Sequence, residues 1–271
     1  MAVIDQLFKL HYVTRALLLD WASGKHLRIL FSESAWEAEI RRMFKFTWHQ
    51  VMFGSIQTLE DENYDLVVPL NIEDTLFLAH NSKFSRNRFP VPERAIVELL
   101  DDKLAFNDYL KNQGFEELIP PLGVATPPYI LKKRIGSFGR ECHYVDTAVR
   151  HECFRAELSS PDYFTQAAIP GQREYATHIL CKNGEILNHL CIEYRFAHEI
   201  PIKGKDPAYR IRLAREQHLD EWRRILGKIG YNGLCCVNYK LKDGAPQLLE
   251  INPRFGGSLA LFFFAFIKYL A

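Results

Sequence analysis

The chain has 271 residues, 48% of them hydrophobic and 25% charged, with a formal net charge of +1. Those proportions suit a globular protein with room for two or three lobes around separate cores, and they exclude a strongly basic nucleic-acid-binding surface. The six cysteines show neither a CxxC pair nor metal-finger spacing, and no signal-peptide core opens the chain, so the thiols read as reduced and buried.

Leu7, Leu10, Val13, Leu17 and Leu18 recur at helical spacing and predict a helix over 1–25. LRILF at 27–31 reads as a short buried strand, and Ser32-Glu33-Ser34 as a cap for a helix over 35–44. YDLVVPL at 64–70 is a second strand, after which Asn71 or Glu73 opens a helix through His80. This alternation implies a small parallel α/β unit over 1–90 whose strands end in loops that face a ligand. Beyond Pro90, a helix with Pro92 in its first turn breaks at Asp101-Asp102-Lys103, resumes over 104–112 and stops before Gly114. By itself Lys103 reads as a solvated lysine balanced by two aspartates.

Pro120-Pro121 and Pro127-Pro128 bracket a linker. Strand-like pieces at 129–133 and 141–145 flank a loop containing Gly136, Ser137 and Gly139, an arrangement that can cover phosphates with backbone N–H groups; it also fits an ordinary hairpin. A strand over 163–168, a Pro170-Gly171 turn and a strand over 174–181 follow. Glu174 alone reads as an exposed hairpin charge, and His178, four residues on and on the same face, as a neutral structural histidine. A strand over 186–196, a loop over 200–206 and an amphipathic helix over 213–228 lead to a hairpin, with strands over 233–241 and 246–251 joined across Lys242-Asp243-Gly244. That turn sets Asn238 opposite Glu250. The apolar run 259–267 is too short to span a bilayer and reads as a core helix capped by Ser258.

The most informative stretch is QLLEINPRFGGS at 247–258. On a strand Glu250 and Asn252 share a face, and Arg254 joins them if the chain stays extended. A carboxylate and an amide oxygen suit a hard cation such as Mg²⁺, an arginine suits a phosphate or acyl phosphate, and Gly256-Gly257 allow tight turning.

Together with GYNGLCCVNY at 230–239, the segment EINPRFGGS resembles the last part of an ATP-grasp domain of the carbamoyl-phosphate-synthase-like, carboxylate–amine ligase subgroup. The resemblance runs in the same order through the rest of the chain. It implies that Lys103 and Lys132 contact ATP phosphates beneath the loop of Gly136, Ser137 and Gly139, with Lys133 and Phe138 departing from the usual loop sequence. It implies a hinge at Gln166, Ala167, Ala168 and Ile169 that grips adenine, with Glu174 on the ribose, a metal site of Glu250, Asn252 and Asn238, and a catalytic Arg254. The implied fold class is α+β, two lobes over 121–181 and 182–271 sandwiching the nucleotide behind a short pre-ATP-grasp-like unit.

The implied activity is an ATP- and Mg²⁺-dependent ligase, with Mn²⁺ able to substitute, that joins a small-molecule carboxylate to an amine or thiol through an acyl phosphate. Neither nucleic acid nor membrane is expected as a partner, a homodimer is compatible, and the location is cytoplasmic. The short front end, Gln166 and Asn238 also permit a non-catalytic or regulatory ATP-binding domain. The apolar run 259–270 permits a membrane anchor. The resembled domain usually continues past this run, so the chain reads either as a short member or as a truncated one.

Overall fold

The computed structural model describes residues 2–58, 63–81, 89–136 and 139–270. Ser137 and Phe138, part of the expected glycine loop, lie outside the described residues. The chain starts with α1 (Ala2–Ser23), β1 (Arg28–Ser32), α2 (Glu37–Phe44), β2 (Gln50–Gly54), β3 (Leu66–Val68) and α3 (Ile72–His80). The strands pair in parallel in the order β2–β1–β3, with Ile29 beside both Val51 and Leu66. Sequence reading missed β2, a half-buried edge strand without clear alternation. Asn71 rather than Glu73 opens α3, its side chain accepting from the Asp74 N–H. The expected cap of α2 is different: Ser34 accepts from the Trp36 N–H, and Trp36 occupies the cap position without a side-chain bond.

Next come α4 (Arg94–Asp101) and α5 (Lys103–Asn112). Asp102 ends the first and caps the second by accepting from the Leu104 and Ala105 N–H groups, so one residue sets both the break and the start of α5 at Lys103. Then β4 (Tyr129–Lys133), β5 (Cys142–Val145), α6 (Ala148–Cys153), α7 (Arg155–Leu158) and β6 (Tyr163–Ala167) build a small antiparallel sheet, β5–β4–β6. Its outer face, Tyr129, Leu131 and Val145, packs under Phe154 and Leu158.

The last part holds β7 (Arg173–Lys182), β8 (Glu185–Arg195), β9 (Arg210–Ala214), α8 (Leu219–Lys228), β10 (Gly233–Lys242) and β11 (Ala245–Asn252). These strands form an antiparallel sheet in the order β11–β10–β7–β8–β9. The turn at Asp243-Gly244 has positive φ at both residues, 52° and 85°, which closes the two-residue hairpin. Two expectations are corrected here. Because β7 belongs to this large sheet, the lobe boundary falls before Arg173 and not at 181/182. The basic triplet 210–212 lies in strand β9, and the helix expected from 213 starts at Leu219.

The period-2 rule divides the large sheet. One face, with Ile179, Val237, Tyr239 and Ile251, packs on Phe106 and Leu110 of α5 and on Trp222, Ile225 and Leu226 of α8. The other, with Ala176, Leu180, Leu190 and Ile192, packs on Ile29, Phe31 and Val68 of the N-terminal unit and on Phe255, Phe263 and Phe266. Residues 1–90 therefore share a core with the large sheet, beside a small cluster of their own, Leu30, Ile56, Val67 and Leu78. The terminal run forms 3₁₀ segments, Gly257–Leu259 and Phe263–Tyr269, in place of the expected helix. With Phe263, Phe264 and Phe266 buried, that run places its apolar surface in the core. No helix among the described residues is long and apolar enough to cross a membrane. Four of the six cysteines are buried, but Cys142 is half-buried and Cys153 exposed, and all six are free thiols.

Candidate active site

Between the small sheet and the part of the large sheet left uncovered by the core lies a cleft of about 730 Å³. Of the expected residues, Lys103, Lys132, Gly136, Gly139, Gln166, Ala167, Ile169, Glu174, Asn238, Glu250, Asn252 and Arg254 all line it; Ala168 does not.

The metal candidates come together by strand register. Asn238 on β10 stands opposite Glu250 on β11, and the Asn238 and Asn252 side-chain amides both donate to Glu250 Oε1, at 2.9 Å each. A bulge follows: Asn238 pairs with Glu250 but Tyr239 with Leu248, leaving Leu249 unmatched. Its displaced carbonyl accepts from Lys132 Nζ across the cleft at 3.4 Å. The expected row of three is corrected at its end. β11 stops at Asn252, the Arg254 N–H turns back onto the Asn252 carbonyl at 2.9 Å, and Arg254 enters the cleft from this turn.

Lys103, projected by the start of α5, donates to the Gly136 carbonyl at 2.7 Å, and its ammonium lies 3.9 Å from Glu250 Oε2. Burial alone would raise the Glu250 carboxyl; Lys103, the Asn252 bond, Lys132 and Lys203 outweigh it and hold the group below its ordinary value, as a carboxylate. Lys132 is itself buried, and desolvation lowers its pKa despite the pull of Glu250. Its ammonium donates to Gln166 Oε1 at 2.6 Å. The Gln166 side-chain nitrogen donates to the Pro120 carbonyl at 3.4 Å, so this amide is held between Lys132 and the segment before β4.

Lys203 escaped sequence analysis because it sits on a loop without periodicity. Its ammonium donates to Asn238 Oδ1 at 2.6 Å, lies 3.3 Å from Glu174 Oε1, and stands 4.7 Å from the centre of the Tyr194 ring. Burial pulls the Lys203 pKa down, but the charges around it, Glu174 first, hold it above the ordinary lysine value. Burial also raises the carboxyl of Glu174, which faces Lys203 from the floor of the cleft. Gly139, at φ +65°, is packed so closely on this loop that a Cβ would lie 2.5 Å from the Lys203 carbonyl. Lys240, also missed, is buried at the cleft wall, donates to the Glu199 carbonyl at 3.2 Å, and has its pKa pushed down to about 8 by desolvation.

His178 is fully buried, with its pKa lowered to about 3 by burial, and its Nε2 lies 2.8 Å from Ser258 Oγ. It is a neutral post beneath the glycine turn. A Cβ on Gly256 would lie 2.5 Å from its ring, and one on Gly257 2.6 Å from Trp36. Close packing, and not a positive φ, is what requires glycine at these two positions, since Gly256 is extended with φ −100°.

Among the described residues lining the cleft, cations (Lys9, Lys103, Lys132, Lys133, Arg140, Lys203, Arg212, Lys240, Arg254) outnumber anions (Glu39, Glu141, Glu174, Glu250). Such a surplus suits a polyphosphate. No group of three or more His, Cys, Asp or Glu able to hold a metal occurs among the described residues. One ionised carboxylate with neighbouring amides still fits a Mg²⁺ ion that takes its remaining oxygens from phosphate.

Two antiparallel sheets clasping a cation-rich cleft define a nucleotide-binding architecture. The chain belongs to the ATP-grasp family: the ATP-grasp domain model matches residues 100–258. Phosphoribosylamine–glycine ligase from Thermotoga maritima is similar in fold, with TM-score 0.62 and 17% identity over 86% of this chain and 70% of that one. N5-carboxyaminoimidazole synthetase from Staphylococcus aureus, complexed with ADP, gives 0.56 and 14% over 86% and 71%. An L-amino acid ligase from Bacillus licheniformis gives 0.56 and 16% over 87% and 69%. No curated protein matches the chain.

Proposed function

We propose that this chain is an ATP- and Mg²⁺-dependent ligase that joins a carboxylate to an amine, or a thiol, through an acyl phosphate. The observation that carries the reading is the convergence of Lys103, Lys132 and Arg254 with the ionised Glu250 in one cleft. The three similar structures are named as ligases or synthetases, which supports the same reaction class here.

Mg-ATP would supply the phosphoryl group, and Mn²⁺ can replace Mg²⁺. The protein's own contribution is position and charge. Glu250, Asn252 and Asn238 would hold the metal. Lys103 and Lys132 neutralise the phosphate chain from opposite walls, and Arg254 steadies charge moving onto the acyl phosphate. Gly136 and Gly139 carry the backbone over the phosphates, and backbone groups of Ala167 and Ile169 border the base. Lys9, Trp36 and Glu39 bring the N-terminal unit to the cleft, which supports a role for residues 1–90 in choosing the substrate. The test is phosphate release from ATP with panels of carboxylates and amines, followed by mass spectrometry of the product.

A second reading, a non-catalytic ATP-binding domain, is favoured by two engaged groups: the Gln166 amide tied to Lys132 and Asn238 Oδ1 tied to Lys203. Tight Mg-ATP binding with no turnover across the panels selects it.

A further inference from the structure

We infer that the acid activated in this cleft carries an extended apolar body, held in a hydrocarbon-lined compartment beyond the phosphate site. The inference rests on the ligase reading and deepens it by naming the substrate class. Strand register lays out the floor. From Glu250 one row of paired residues crosses the large sheet: Asn238 on β10, Ala176 on β7, Ile192 on β8 and Leu213 on β9. Neighbouring strands lie about 4.8 Å apart, so Ile192 stands about 10 Å from Asn238 and Leu213 about 14 Å. The row therefore begins at the metal candidates and ends in aliphatic side chains, and both Ile192 and Leu213 line the cleft. Ile211, two residues from Leu213 and on the same face, also lines it and is 59% exposed. Arg212 between them is held by Glu193 and Asp5.

The walls continue this chemistry. Leu261, Phe262 and Trp36 line the cleft and pack in one apolar cluster with Ile192 and Leu213. Helix α1 joins Phe262 to β9: Asp5 pairs with Arg210 and Arg212, and one turn on, the Lys9 ammonium stands 5.6 Å from the centre of the Phe262 ring. Trp36 is fixed by stacking on Phe255, with ring centres 5.8 Å apart, and by its close approach to Gly257. The compartment is thus already formed, and filling it with hydrocarbon requires little reordering. It suits the acid and not the amine. An attacking amine must shed a proton, for which aliphatic walls offer no acceptor, whereas the body of an acid needs only to leave water.

The experiment gives the full chain Mg-ATP, straight-chain acids from acetate to octanoate, and hydroxylamine as nucleophile. The carboxylate oxygen takes the γ-phosphoryl group and ADP leaves. The hydroxylamine nitrogen then bonds to the acyl carbon, phosphate leaves, a proton is lost, and the hydroxamate is read by its colour with ferric iron. ADP release is followed in parallel. The ratio kcat/KM should rise about fourfold per methylene until the compartment is full. Ile211→Asn, at an exposed position, should lower the octanoate-to-acetate ratio about tenfold. Equal rates along the series, a preference for succinate over butanoate, or an unchanged ratio in the variant overturns the inference and leaves the ligase reading standing. So does a chain-length preference that follows the amine when alkylamines replace hydroxylamine. Binding of a non-hydrolysable ATP analogue with neither ADP release nor hydroxamate from any acid removes the ligase reading and this inference together.

Discussion

The two walls of the cleft are built differently. The small sheet, β5–β4–β6, rests on three buried side chains, Tyr129, Leu131 and Val145, roofed by two short helices. The large sheet is packed on both faces, by α5 and α8 on one side and by the N-terminal unit and the terminal phenylalanines on the other. Stability follows buried apolar contact, so the large wall is the scaffold and the small wall the part that opens first. The chemistry is divided accordingly: the metal candidates and Arg254 sit on the scaffold, and Lys132 with the glycine loop sits on the lighter wall.

The largest expected effect tests that asymmetry. Trp222→Ala, beneath the large sheet, should cost about 3–5 kcal/mol in urea unfolding and loosen the whole molecule. Leu131→Ala should cost about 2 kcal/mol, near the low end for such changes, with hydrogen exchange rising in β4–β6 well before β7 and β10. Equal exchange in both sheets would remove the distinction.

Arg254→Ala should lower turnover by roughly 10²–10³ while the ATP analogue still binds. Unchanged turnover takes Arg254 out of the chemistry and leaves the scaffold wall holding metal only.

The third test is the acid response of the large wall. His178 has its folded pKa depressed from 6.5 to about 3, so stability is full above pH 6.5 and is lost as pH falls from there toward 3. The loss should approach about 1.4 kcal/mol per pH unit in that window, and His178→Gln should flatten it. Parallel slopes for the two proteins would show that other groups govern acid sensitivity.

The smallest effect falls where α5 meets the light wall. Asp102 caps α5 and accepts from Arg134 Nε and Nη2, the shorter bond at 2.6 Å, just past the end of β4. Asp102→Ala should cost about 1 kcal/mol in unfolding and weaken analogue binding by releasing Lys103. Retention of binding would mean that helix packing alone orients Lys103.

Local rules read much of this molecule from residue order. Asp102 announced the helix break, the Asp243-Gly244 turn set Asn238 opposite Glu250, and alternation put Glu250 and Asn252 on one face. Each depends on neighbours within a few residues, where propensity and period decide. Strand β2 was illegible because QVMFG lacks clean alternation, β9 because its last two residues also fit the helix expected from 213, and the terminal helix failed because an apolar run does not say whether its backbone winds as α or 3₁₀.

By itself, then, the sequence determined the order of the phosphate and metal candidates, the hairpin that unites Asn238 with Glu250, and membership in a two-sheet nucleotide-binding class. Tertiary structure alone decided that Lys203 comes from a distant loop to occupy Asn238 and Glu174, that Lys132 engages Gln166, and that His178 holds the glycine turn from below. Those contacts join residues 29 to 80 positions apart, or bring a third element to a hairpin. No periodicity spans such distances, and only packing around a shared core brings them within hydrogen-bond reach.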